Sequence, residues 1–114
     1  MPLIYAHWLE PAVKRNVTFD AWIARINDQL RRDPFRWSLA PAGRQDWKPE
    51  RVTANADLIV NGVAIMPPEF SLNHRGADIT DGRHRIYAFH DAGYAKVRIQ
   101  CRPEDKAELA ALLS

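Results

Sequence analysis

The sequence predicts one α+β domain, a small mixed sheet with about three helices. Three observations carry this expectation. Phe19, Trp22, Ile23, Ile26 and Leu30 recur at helical spacing. Several short β-prone runs are punctuated by Gly, Pro and Asn. Residues 78–101 read as the end of a strand, a tight charged turn, a helix and a second strand. With 114 residues, 46% of them hydrophobic, the chain is long enough to bury one core without disulfide or metal staples.

In chain order, residues 3–8 are apolar and β-prone and stop before Pro11, which predicts a first strand. The helix over residues 19–30 takes Thr18 as N-cap, Asp20 in its first turn, Arg31 and Arg32 in its last, and Pro34 as its stop. Residues 33–56 are the least regular, interrupted by Pro34, Pro41, Gly43 and Pro49. Residues 58–66 read as a hairpin, because Asn61-Gly62 supplies the two left-handed residues of a type I′ turn between β-prone runs. Residues 70–72 and 77–80 form a further antiparallel pair. A helix over residues 83–91, stopped by Gly93, leads to a strand over residues 96–101. Ile86 and Phe89 are that helix's core anchors, and Tyr87 is expected half buried with its hydroxyl at the surface. Pro103, Glu104 and Asp105, followed by Leu109, Leu112 and Leu113, define a short terminal helix.

The net charge of +2 is too small to argue for nucleic acid by itself. Lys14, Lys48, Lys96 and Lys106 are the only lysines; the other basic residues are arginines, whose planar fork suits phosphate. Genomic base composition produces the same bias. The single cysteine, Cys101, can make neither an internal disulfide nor a zinc site alone, which points to a reduced intracellular protein. No leader-like segment or membrane-length apolar run is present, so the expectation is a cytoplasmic protein with no membrane partner.

The charged turn is the expected working site. Arg83, His84 and Arg85 fall in the first turn of a helix, where the backbone amides already favour anions, so the pattern asks for an anion from outside. Gly82 lets the backbone come close to a ligand, Arg83 and Arg85 can each clamp a phosphate, and His84 can donate to it. Asp81 and Asp78 can cap the helix, orient an arginine or hold a magnesium that arrives with a nucleotide. Beside this stands a structural reading in which Asp81 is only a cap and the arginines pair with Asp78 or Asp91 in solvent. Were the site hydrolytic, Asp81 or His84 would take the general-base or metal-organising role. His74 and His90 lack the spacing of a helical metal pair, and no protein-held metal is expected. In the irregular segment, Arg36, Trp37, Arg44, Trp47, Lys48 and Arg51 mix arginine with tryptophan in the manner of a nucleic-acid contact or a lid. The preferred reading there is that Trp37 and Trp47 fold back onto the core while the arginines are solvated.

Residues 79–93, Ile-Thr-Asp-Gly-Arg-His-Arg-Ile-Tyr-Ala-Phe-His-Asp-Ala-Gly, followed by Val97-Arg-Ile, resemble the ParB/sulfiredoxin superfamily, also known as the ParB-like nuclease domain. With Met66-Pro67 ahead of it, Asp-Gly-Arg-His-Arg is similar to the plasmid fertility inhibition factors of that superfamily. The resemblance covers residues 65–101. It implies a phosphate turn at Gly82, Arg83, His84 and Arg85 binding ATP or CTP with Mg2+, and an activity, if any, of a nucleoside triphosphatase or DNase. It implies partners among nucleotides, DNA and a protein of a conjugation or secretion system. Sulfiredoxins place their catalytic cysteine where this chain has Arg83, so their chemistry is not expected. ParB partition proteins carry a helix-turn-helix and a dimerisation segment after this domain, and the chain ends at Ser114, so clamp function is not expected either. The alternatives to a nucleotide site are a non-catalytic nucleic-acid module and a protein-interaction module with a vestigial site.

Overall fold

The computed structural model describes residues 3–33 and 35–114. In chain order these form β1 (Val17–Trp22), α1 (Ile23–Leu30), α2 (Pro49–Val60), β2 (Glu69–Asn73), β3 (Gly76–Asp81), α3 (Arg83–Asp91), β4 (Lys96–Cys101) and α4 (Lys106–Leu113). The sheet is mixed, with order β1-β4-β2-β3. β4 pairs antiparallel with β1 and parallel with β2, and β2 pairs antiparallel with β3. The fold is therefore α+β, with one helix more than the sequence suggests.

Burial explains the arrangement. Val97, Ile99 and Cys101 alternate on β4 and are fully buried, and Ala77 and Ile79 alternate on β3 and are buried, so the sheet turns an apolar face inward. α1 and α4 pack against one another, and both touch β1 and β3, the two outer strands, so the sheet curls around the pair. α2 packs on α3, whose Ile86, Ala88 and Phe89 are at most 1% exposed.

Three elements depart from the sequence expectation. The expected helix over residues 19–30 begins only at Ile23; residues 17–22 are strand β1, with Thr18 opposite Gln100 and Phe19 opposite Ile99. Thr18 is thus a ladder residue and no cap. Val17, Thr18, Phe19 and Trp22 are β-branched or aromatic, and pairing with β4 outweighs the helical spacing that Phe19 and Trp22 share with Ile26 and Leu30. Pro34, the expected stop of α1, lies outside the described residues.

The expected hairpin over residues 58–66 is instead the end of α2. Asn61 has φ −86°, which a type I′ turn does not allow, and only Gly62 is left-handed, at φ +66°. The Gly62 amide donates to Ile59 O and the Val63 amide to Leu58 O, the paired bonds that close a helix through a left-handed glycine. Gly93 ends α3 in the same manner, with Gly93 N to His90 O and Tyr94 N to Phe89 O.

Residues 3–8 make no ladder; they cross the domain through single bridges, Ile4 to Lys96 and Trp8 to Ile65. This segment is held by its aromatic side chains. Tyr5 and Trp8 lie 5.4 and 5.2 Å from the Phe89 ring, and the Tyr5 hydroxyl donates to Val63 O at 2.8 Å. The terminal helix opens as a short 3-10 turn over Pro103–Asp105 before α4. No helix among the described residues is long and apolar enough to cross a membrane.

Candidate functional site

A cavity of about 700 Å3 lies between the first turn of α3 and the first turn of α2. Asp81, Gly82, Arg83, His84 and Arg85 form one wall; Asp46, Trp47, Lys48, Arg51 and Asn55 form the other, with Thr80 at the junction. The turn is built on Gly82, the N-cap of α3, at φ +91°. No side chain caps this helix and no acidic residue stands in its first turn. Asp81 is thus not the cap. Its carboxylate instead accepts from Arg85 Nη2 at 3.3 Å.

Each arginine of the turn is anchored on a backbone carbonyl and on a carboxylate. Arg85 Nη1 donates to Met66 O at 2.6 Å, and its guanidinium lies so close to Gly82 that a Cβ there would sit 2.6 to 2.8 Å from it. Arg83 donates to Ile79 O at 3.3 Å and to Asp46 Oδ2 at 2.8 Å. On the facing wall, Lys48 and Arg51 are exposed, and no carboxylate lies within ion-pair reach of either among the described residues. Pro49 at the first position of α2 and Glu50 behind it set that helix's start.

His84 joins the walls. Its Nε2 accepts the Lys48 backbone amide at 3.0 Å, which assigns the lone pair to Nε2 and the proton of the neutral ring to Nδ1. Burial lowers its pKa, and the nearby Arg51, Arg83 and Lys48 charges lower it further, against a backbone hydrogen bond with Asp46 that raises it. The ring is therefore neutral at pH 7.

A pH dependence follows. The unfolded chain takes up the His84 proton before the folded one does, so the neutral ring leaves stability intact above the ordinary histidine value of 6.5 and draws it down as pH falls below that. Wild type is expected to lose more stability than His84→Gln between about pH 7.5 and about pH 5.5 in urea unfolding. Parallel losses would refute the assignment. Asp91 acts in a lower window: burial raises its carboxyl, but hydrogen bonds from Arg44 and His90 outweigh this and hold it below the usual 3.8.

The sequence-predicted site residues are distributed unevenly. Asp81, Gly82, Arg83, His84, Arg85, Trp47 and Arg51 line the cavity, the last from α2 rather than from a loop. Arg36 is exposed, at φ +54°, and lines neither described cavity; Trp37 packs on the core and borders a separate polar cavity of about 120 Å3 beside Asp33 and Arg75. Trp47 is 40% exposed, so of the two tryptophans only Trp37 folds back as expected.

Arg44, expected in solvent, is buried. Its Nε donates to Leu39 O at 2.7 Å, its Nη2 pairs with Asp91, and its Cζ lies 4.8 Å from the Tyr87 ring and 5.4 Å from that of Trp47. Tyr87 is 1% exposed rather than half buried, and its hydroxyl donates to Gln45 O at 2.7 Å. Together they fasten residues 44–48 against α3. Cys101 is fully buried at the end of β4, where burial pushes its thiol pKa up, and it does not line the cavity.

Asp46 and Asn55 are cavity residues that the sequence did not mark. Helical spacing from Arg51 would have found Asn55 had α2 been read as a helix. Among the described residues no three His, Cys, Asp or Glu side chains converge as a metal site would require. The fold and site define a small α+β domain with a cationic cavity at two helix N-termini. In comparisons with known proteins, no family model, no curated protein and no solved structure matches this chain.

Proposed function

We propose that the cavity binds the phosphate of a nucleotide, as the resemblance of the Asp81 to Arg85 turn to the ParB/sulfiredoxin superfamily implies. The observation that carries this reading is the meeting of Lys48, Arg51, Arg83 and Arg85 on one cavity, at a helix start with neither a cap nor an acidic residue. Trp47 at the rim offers a partly exposed ring for a base. ATP or CTP with Mg2+ is the proposed ligand, Asp81 being the turn's most exposed carboxylate, at 76%. A cytoplasmic setting goes with this reading, and the likeness to fertility inhibition factors adds DNA and a conjugation or secretion protein to the proposed partners.

The test is thermal unfolding of wild type and of Arg83→Ala/Arg85→Ala with ATP, CTP, GTP or single-stranded DNA, with and without magnesium. Ligand at a hundredfold over its Kd adds ~2.7 kcal/mol to the native state. A rise in Tm with a nucleotide, absent in the double variant, is the expected result. No rise with any nucleotide from well-folded protein would overturn the proposal, and a rise with DNA alone would favour the nucleic-acid reading.

A further inference from the structure

Of the four cations on the cavity, two already have partners of opposite charge. Asp46 holds Arg83 through Oδ2 at 2.8 Å and Asp81 holds Arg85 at 3.3 Å, whereas Lys48 and Arg51 across the cavity have none among the described residues. The Asp46 contact is built with unusual backbone. Asp46 is one of two non-glycine residues with positive φ among those described, at +48°, and the segment around it is pinned on both sides, by Tyr87 on Gln45 O and by His84 on the Lys48 amide. Its side chain is nonetheless 76% exposed and can turn into solvent without disturbing the core.

We propose that Asp46 is an internal counter-anion that a ligand must replace at Arg83, which sets a threshold of affinity that a terminal phosphate, with its second charge, exceeds and a phosphodiester does not. The inference rests on the phosphate reading of the preceding section and narrows it to a ligand class. A diester carries one negative charge, the same as the carboxylate it would displace, and Asp46 has the advantage of being tethered beside Arg83. A terminal phosphate carries about two negative charges at neutral pH, one to replace Asp46 and one to meet Lys48 and Arg51. The end of a nucleotide, whether mono-, di- or triphosphate, satisfies both walls; the interior of a nucleic-acid backbone satisfies one.

The experiment is calorimetric titration of wild type, Asp46→Asn and Arg83→Ala with adenosine monophosphate against cyclic adenosine monophosphate, and with the two cytidine equivalents. Within each pair the base is constant and only the ester class changes. Asn adopts left-handed φ readily, so Asp46→Asn removes the charge without altering the turn. Wild type is expected to bind the monoester about tenfold or more tightly than the cyclic diester, and Asp46→Asn to bind both esters more tightly than wild type does, the monoester by at least as large a factor. Arg83→Ala is expected to lose the preference. Equal affinities in wild type, or no gain in affinity for either ester in Asp46→Asn, would overturn the inference while leaving the phosphate site standing. Binding of neither ester to wild type or Asp46→Asn would overturn the inference, and the Tm shifts with ATP and CTP decide the phosphate site separately.

Discussion

Arg44→Ala is expected to cost about 3 kcal/mol of stability, which for a domain of this size lowers Tm by roughly 10 °C. The side chain is 1% exposed, and its removal leaves the Leu39 carbonyl without its donor and opens the gap between the Tyr87 and Trp47 rings. Asp91, the other half of the ion pair, is 42% exposed and rehydrates easily, which holds the cost to the lower end of the range for broken buried pairs. Arg44→Met retains part of the stem packing and is expected to lose about 2 kcal/mol. Denaturant unfolding gives both values directly. A loss below about 1 kcal/mol for Arg44→Ala would show that the aromatic rings hold the segment without the guanidinium.

The second large effect belongs to Gly82. Gly82→Ala places an L-residue at φ +91° and drives its Cβ to within 2.8 Å of the Arg85 guanidinium. Gly93→Ala is the matched control, since Gly93 has φ +84° and nothing within 4 Å of its Cβ position. The control should lose about 1 kcal/mol, the conformational cost alone. Gly82→Ala should lose about 1–2 kcal/mol more, because Arg85 must release Met66 O and Asp81 to make room. It should also lose ligand binding, which Gly93→Ala should keep. Equal losses in the two variants would mean that Arg85 moves aside freely.

The legible parts of the sequence were those whose signals are local and unambiguous. The glycine that stops α3, the β-prone residues of β4 and the antiparallel pair of residues 70–72 with 77–80 each have one reading, and the structure has it. Asn61-Gly62 has two, because a left-handed glycine closes a hairpin or a helix equally well. What decides is upstream: Pro49-Glu50 opens a helix as Pro103-Glu104 does, with Val52 and Ile59 on its buried side. Residues 17–30 hold two elements whose apolar residues happen to share one helical spacing, and the partner that makes the first half a strand is the distant β4, where Val17 faces Cys101. The cationic turn was legible as residue types. Its facing wall was not, since Asp46 meets Arg83 through a left-handed loop conformation and a tertiary contact between positions 37 residues apart.

The strand order places β1, near the start of the chain, beside β4, near its end. The β2 to β3 hairpin and α3 need only neighbours in sequence, so they can assemble quickly and cheaply. β1 must instead wait for a loop spanning most of the chain to close, and that closure entropy is recovered only when the ladder with β4 and the Asn16 to Gln100 hydrogen bond form. An ordered route to the native state is the expected result, with the turn that carries Arg83 and Arg85 taking shape early and the edge strand that completes the sheet arriving last, an order that folding kinetics of β1 and β3 variants would check.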